Sequence, residues 1–209
     1  MVQDAIVLKK YRDISKVVLF DNRCGRLTAT CNTFLLSVGT VIRYSLPVQA
    51  IQDHYMFGRG CHISDYERIM IPKRLDTMTL SFLHHVIELC LYSVQAGVSD
   101  LPLFDMVLSL YTYCPKKWST DIQRIFIMQL LLMLGFAVED ALLVKNEVIQ
   151  LCTMPIDKIF DGTIHLDSIQ PQLVHEIDRW IQLCLARHPY SDQFKTVRFF
   201  YTDQAGRLI

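Results

Sequence analysis

The hydrophobic pattern of this 209-residue chain changes period near Pro72. Before it, apolar residues come in short runs or alternate singly, and Gly, Asn, Asp or Pro soon interrupts them. After it, they recur every third or fourth position over long stretches. A chain written this way makes a unit of short strands followed by a helical body, an α+β arrangement.

The strand half is explicit. Ala5-Ile6-Val7-Leu8 and Val17-Val18-Leu19-Phe20 are apolar runs suited to buried strands, and Asp21-Asn22-Arg23-Cys24-Gly25 is a tight turn. Leu27, Ala29 and Cys31 alternate with Arg26, Thr28 and Thr30, so one set faces a core and the other solvent. Ile42, Tyr44 and Leu46 repeat that alternation up to Pro47. Residues 49–55 and 66–71 supply two further strand candidates around the Gly58-Arg59-Gly60 loop. So many short strands in residues 1–75 predict a small β-barrel rather than an open sheet.

Residues 76–209 predict helices. The first starts at Asp76 or Thr77, runs to about Gln95 and stops at Gly97, with Leu80, Leu83, Ile87, Leu91 and Val94 on its buried face. A second follows Asp100 with Pro102 in its first turn, and a third is capped by Ser119 and ends near Gly135. A fourth spans residues 140–151. Pro171 opens a last amphipathic helix through Leu173, Ile177, Trp180, Ile181 and Cys184, and residues 194–201 read as a β-like tail. The path of residues 152–170 is not legible.

Charge divides the same way. Residues 1–75 carry 11 Lys/Arg against 6 Asp/Glu, and residues 76–209 carry the remaining 10 against 15, so a neutral total hides a basic strand unit and an acidic helical one. A compact basic β-unit suits a polyanion, most simply nucleic acid. The longest uncharged apolar run, residues 125–138, is too short for a membrane span, so no membrane association is expected. Seven widely spaced cysteines without a secretory signal or any C-x-x-C predict reduced thiols, a cytoplasmic location and no cysteine zinc module. His84 and His85 are adjacent and diverge on a helix, and His54, His62, Asp53 and Asp65 read as loop polarity. With no P-loop, no G-x-S-x-G and no oriented partner for Cys61-His62, the chain reads as non-enzymatic.

Three segments carry a family resemblance. Ile6-Val7-Leu8-Lys9, Arg12-Asp13, Ser15-Lys16-Val17-Val18-Leu19-Phe20 and Gly25-Arg26-Leu27 resemble the opening of the bacterial recombination mediator RecO family. Ile125 through Leu134-Gly135-Phe136 resembles that family's leucine-rich helix ending in Leu-Gly and an aromatic, and the last amphipathic helix with its Phe-rich tail is similar to its C-terminus. The resemblance implies an N-terminal OB-fold at residues 1–75 and a helical domain at 76–209. It also implies a DNA repair and recombination mediator that binds single-stranded DNA, anneals strands and aids recombinase loading. Single-stranded DNA-binding protein, through its acidic, aromatic-ended tail, and a RecR-type mediator are the partners it implies. Many members hold zinc through four cysteines after the Leu-Gly helix. Residues 138–151 contain no cysteine and Cys152 stands alone, so zinc is rejected and no cofactor is expected.

An OB barrel holds single strands with a basic groove and stacking aromatics. The candidate phosphate contacts are Lys9, Lys10, Arg12, Lys16, Arg23, Arg26 and Arg43, with Lys73 and Arg74 as an extension at the domain junction. Tyr11, in a polar hinge, is the candidate stacker; Tyr44 shares a face with Ile42 and Leu46 and reads as core. Lys116 and Lys117 beside Trp118, and Arg179 and Arg187 on the last helix, are the candidate partner contacts. Three rival readings stay open. One is an OB-fold RNA-binding module, the second a helical protein–protein adaptor that binds no nucleic acid, and the third a thiol hydrolase using Cys61.

Overall fold

The computed structural model describes residues 2–11, 15–32, 36–47, 50, 60–70, 75–113, 118–160 and 170–196. Of the candidate strand at residues 49–55 only Ala50 is described, and it is helical rather than extended; the rest of it, the loop up to Arg59, and Arg12, Lys73, Arg74, Lys116 and Lys117 lie outside the described residues. The fold is α+β. Among the described residues six strands come first: β1 (Val2–Lys10), β2 (Lys16–Asp21), β3 (Gly25–Thr30), β4 (Val41–Ser45), β5 (Cys61–His62) and β6 (Tyr66–Met70). They form one sheet in the order β5-β3-β2-β1-β4-β6, antiparallel except for the β3–β5 pair.

That order forces curvature. β5 and β6 are the two edges, yet only Ile63, Ser64 and Asp65 separate them in sequence. Such a link reaches at most about 14 Å, whereas the edges of a flat six-stranded sheet would lie about 24 Å apart. The sheet therefore curls into a half-barrel. Its concave face is the core, where Val7, Leu19, Leu27, Ile42 and Tyr44 meet. The alternation expected for Leu27, Ala29 and Cys31 and for Ile42, Tyr44 and Leu46 is present, and all six are buried.

The convex face explains why β1 and β2 are apolar throughout. Helix α1 (Thr77–Ser93) packs on both strands, and Phe104 of α2 (Leu101–Thr112) meets Phe20 edge-on at 5.3 Å. Ile6 and Phe20 are thus buried on one face while Ala5, Val7 and Leu19 are buried on the other. Asp76 caps α1, its carboxylate accepting from the Thr79 amide at 2.8 Å. Leu83, Ile87 and Val94 of the face expected from sequence are buried, and the stripe extends past them through Phe82, Val86 and Cys90. Leu80 is 38% exposed. The helix lies over a sheet that takes Phe82 and Leu89 as well, a wider contact than a single heptad-like seam.

The α1–α2 connection grips the β2–β3 turn. The Gly97 amide donates to the Cys24 carbonyl at 2.9 Å, the Arg26 amide to Gln95 at 3.0 Å, and the Ser99 hydroxyl to Asn22 at 3.1 Å. Inside the turn, Asp21 accepts from the amides of Arg23 and Cys24 at 2.8 and 2.7 Å and from the Tyr44 hydroxyl at 2.5 Å. Burial, with Asp21 beside it, holds the Tyr44 phenol far above its ordinary pKa. Gly25 has φ +63°, and a Cβ there would sit 2.3 and 2.4 Å from the Val98 and Gln95 carbonyl oxygens. These contacts place α1 and α2 in the compact unit of the sheet, which runs to Tyr111; the second compact unit starts at Thr112. The sequence reading set its domain boundary earlier, at residue 75.

In the second unit α3 (Thr120–Met133) is the central helix, capped by Ser119 and buried on nearly every side from Ile125 to Leu131. It ends in a Schellman motif: Gly135 (φ +76°) donates to Leu132 and Phe136 to Leu131. The fourth expected helix is split. A 3-10 turn (Ala141–Val144), capped by Asp140, is separated at the extended Lys145 from α4 (Asn146–Thr153). A short α5 (Ile156–Phe160) follows, in a stretch whose sequence gave no reading. Helix α6 (Pro171–Arg187) buries Ile177, Trp180, Ile181 and Cys184 against its unit. Arg124 ties α3 to α6 through Asp178 at 2.8 Å, and the Gln129 amide caps α4 at Leu151 and Met154. Phe194 is buried 4.8 Å from His188, and residues 194–196 form no strand; residues 197–201 of the expected tail lie outside the described residues.

Candidate nucleic-acid interface

A bulge in β1 decides which lysines meet. Val7 pairs with Leu19 and Lys9 with Val18, so Leu8 is an extra residue that shifts the alternation. Lys9 therefore joins the convex face with Val18, while Lys10 pairs with Val17 on the concave rim. There the Lys10 ammonium donates to the Leu36 carbonyl at 3.2 Å.

On the convex side Lys9, Tyr11 and Lys16 come together. The Lys9 ammonium lies over the Tyr11 ring at 4.9 Å and that of Lys16 at 5.5 Å, and the Tyr11 amide donates to the Lys16 carbonyl at 3.1 Å. Neither lysine has an acidic partner among the described residues. An exposed cation–π contact contributes about 0.5–1 kcal/mol, and stacking a base on an aromatic ring about 1–3 kcal/mol. An incoming base can therefore displace an ammonium from the ring, freeing it for a phosphate.

The other candidates are placed differently. Arg43 is held by Asp4 in a two-pronged ion pair at 2.7 and 2.9 Å, which with Glu67 alongside raises its pKa and offsets its charge. Arg26 donates to the Leu91 carbonyl at 3.0 Å, so its guanidinium anchors the end of α1. Arg23 is exposed in the β2–β3 turn, at the opposite end of β2 from Lys16 and about 17 Å or more away. Tyr44 is core, as its spacing implies.

Sequence reasoning missed two convex-face neighbours. Lys16 pairs with Thr30, and Thr30 pairs with His62 across the parallel β3–β5 contact. The Thr30 hydroxyl lies 3.1 Å from His62 Nδ1 and 3.3 Å from the Cys61 carbonyl. Only the long-range pairing brings them beside the lysines, so no local signal marks them.

Cys61 itself faces the core. Burial pushes its thiol up to about 11 and it donates to the Thr28 carbonyl, the reverse of what a nucleophile needs. Among the described residues, no three His, Cys, Asp or Glu side chains gather as metal ligands, and no helix is long and apolar enough to cross a membrane.

In the helical unit Trp118 is 6% exposed and lies 6.3 Å from Phe160, so it is a core residue and corrects the cationic-aromatic surface cluster expected from sequence. Arg179 lines a pocket of about 190 Å³ with Asp140, Leu142, Lys145, Glu176 and Trp180. Lys145 is paired with Glu176, and Arg179 has no partner among the described residues. Arg187 is exposed two turns further along α6, about 12 Å away. No protein-family model matches the chain, and no curated protein matches it.

Proposed function

We propose that the chain is a non-enzymatic DNA repair and recombination mediator of the RecO type, binding single-stranded DNA on the convex face of an OB-fold barrel. The observation that carries this reading is the outward cluster of Lys9, Tyr11 and Lys16, two uncommitted cations around one aromatic ring. Among the described residues it lies beyond the part of the sheet that α1 covers, beside the strand 2–3 face through which OB folds take oligonucleotides.

The connectivity supports the OB assignment. Counting β5 and β6 as one bent strand makes the sheet order 1-2-3-5-4-1, a closed circuit in which that strand pairs with β3 at one end and β4 at the other. OB barrels share this order. Strand annealing and recombinase loading rest on the RecO resemblance, as does the RecR-type partner. The pocket beside Arg179, small enough to accept one apolar side chain and bordered by a cation with no partner among the described residues, is where the acidic, aromatic-ended tail of single-stranded DNA-binding protein would dock.

The test is strand annealing by the full chain, with complementary oligonucleotides coated by single-stranded DNA-binding protein. Acceleration over the uncatalysed rate supports the reading. Binding to single-stranded RNA with no annealing activity and no DNA binding would replace it with the RNA-module reading.

A further inference from the structure

The convex face carries more than the lysine cluster. Its cross-strand register sets Tyr11, Lys16, Thr30 and His62 in one row over β1, β2, β3 and β5, about 14 Å from end to end. The next row toward the helices is Val18, Thr28 and, one register before Cys61, Gly60. Small side chains and a missing one thus form a floor beside a polar, cationic rim. Among the described residues, a Cβ added at Gly60 would meet only the Thr28 carbonyl, at 3.6 Å, an ordinary contact.

His62 is oriented as well as exposed. Thr30 engages its Nδ1 edge, and Nε2 has no partner among the described residues. When the Thr30 hydroxyl donates to Nδ1, the neutral ring carries its proton on Nε2, a donor directed away from Thr30.

We propose that the binding track runs across the strands from Tyr11 to His62, with the floor at Thr28 and Gly60 taking the sugar-phosphate backbone and His62 Nε2 contacting a phosphate. The inference rests on the single-strand-binding reading above. It assigns Thr30 as the positioning residue for His62, and Gly60 as the opening through which the strand leaves the sheet.

The test uses the full chain and a fluorescent poly-dT oligonucleotide in anisotropy titrations, with unfolding midpoints measured for every variant. Gly60→Leu fills the floor and lowers affinity at least about 10-fold with the midpoint unchanged. His62→Ala lowers it about 2- to 10-fold, the range for losing one hydrogen bond, and His62→Lys restores it. If the Lys9→Glu/Lys16→Glu variant loses binding while Gly60→Leu and His62→Ala bind like wild type, the track ends at Lys16 and this inference is overturned, with the proposed function intact. If the wild-type chain does not bind at low salt, both fall.

Discussion

Replacing Gly25 by alanine tests the clasp between the β2–β3 turn and the α1–α2 connection. The new Cβ would lie 2.3 Å from the Val98 carbonyl oxygen and 2.4 Å from that of Gln95, both backbone atoms that cannot swing aside. The left-handed φ of +63° adds about 1–2 kcal/mol for any residue with a Cβ. Relieving the clash separates the two segments and removes the Gly97–Cys24 and Arg26–Gln95 hydrogen bonds, each contributing about 1 kcal/mol net. The expected loss is therefore about 3–4 kcal/mol, a large share of the roughly 5–15 kcal/mol that keeps a domain folded. Gly135 is the built-in control: it has φ +76° and nothing within 4 Å of an added Cβ, so Gly135→Ala should cost only about 1–2 kcal/mol. Urea unfolding followed by circular dichroism measures both, and hydrogen exchange at residues 22–27 and 95–99 localises the damage. Equal losses in the two variants, or unchanged protection at the clasp, would refute the reasoning.

Three further outcomes are expected. Tyr11→Leu should weaken single-stranded DNA binding about 5- to 150-fold, the equivalent of about 1–3 kcal/mol of stacking, while leaving the salt dependence unchanged because no cation is lost; a changed slope in anisotropy titrations argues against stacking. Gln3 is buried at 1% exposure with no partner for either end of its amide among the described residues, so Gln3→Met should raise the urea midpoint by the equivalent of about 1–3 kcal/mol, and a lowered midpoint would show that the amide is satisfied. His85 is fully buried, and desolvation lowers its pKa to about 3 from 6.5. The unfolded chain then binds the proton more readily than the folded one, so His85 subtracts stability progressively as pH falls from about 6.5 towards 3. His85→Phe should flatten that part of the pH–stability curve, and an unaltered curve would locate the acid sensitivity elsewhere.

Local chemistry made some of the fold legible and long-range pairing hid the rest. Asp76, Ser119 and Gly135 act through their immediate neighbours, so caps and helix ends could be read directly. Leu27, Ala29 and Cys31 alternate because one face of β3 is buried and the other open. The bulge at Leu8 has no composition of its own, yet it determines that Lys9 faces outward and Lys10 lies on the rim. Arg26 and Arg43 count as cations in sequence, but α1 and Asp4, from 65 and 39 residues away, commit them to structure. Trp118 looked like a surface aromatic because two lysines precede it; its packing near Phe160 depends on α5, a helix too short to leave a periodic signal. Thr30 and His62 become neighbours only through the parallel β3–β5 pair.

The most direct test of the central claim is the salt dependence of single-stranded DNA binding by the wild-type chain and by the Lys9→Glu/Lys16→Glu variant. Each phosphate neutralised on a single strand contributes about −0.7 to the slope of log K against log salt concentration. Binding by the wild-type chain, with a slope shallower by about 1.4 and a collapsed affinity in the variant, is the predicted result. Matching slopes and affinities in the two proteins would contradict the assignment of the Lys9–Tyr11–Lys16 face as the binding surface.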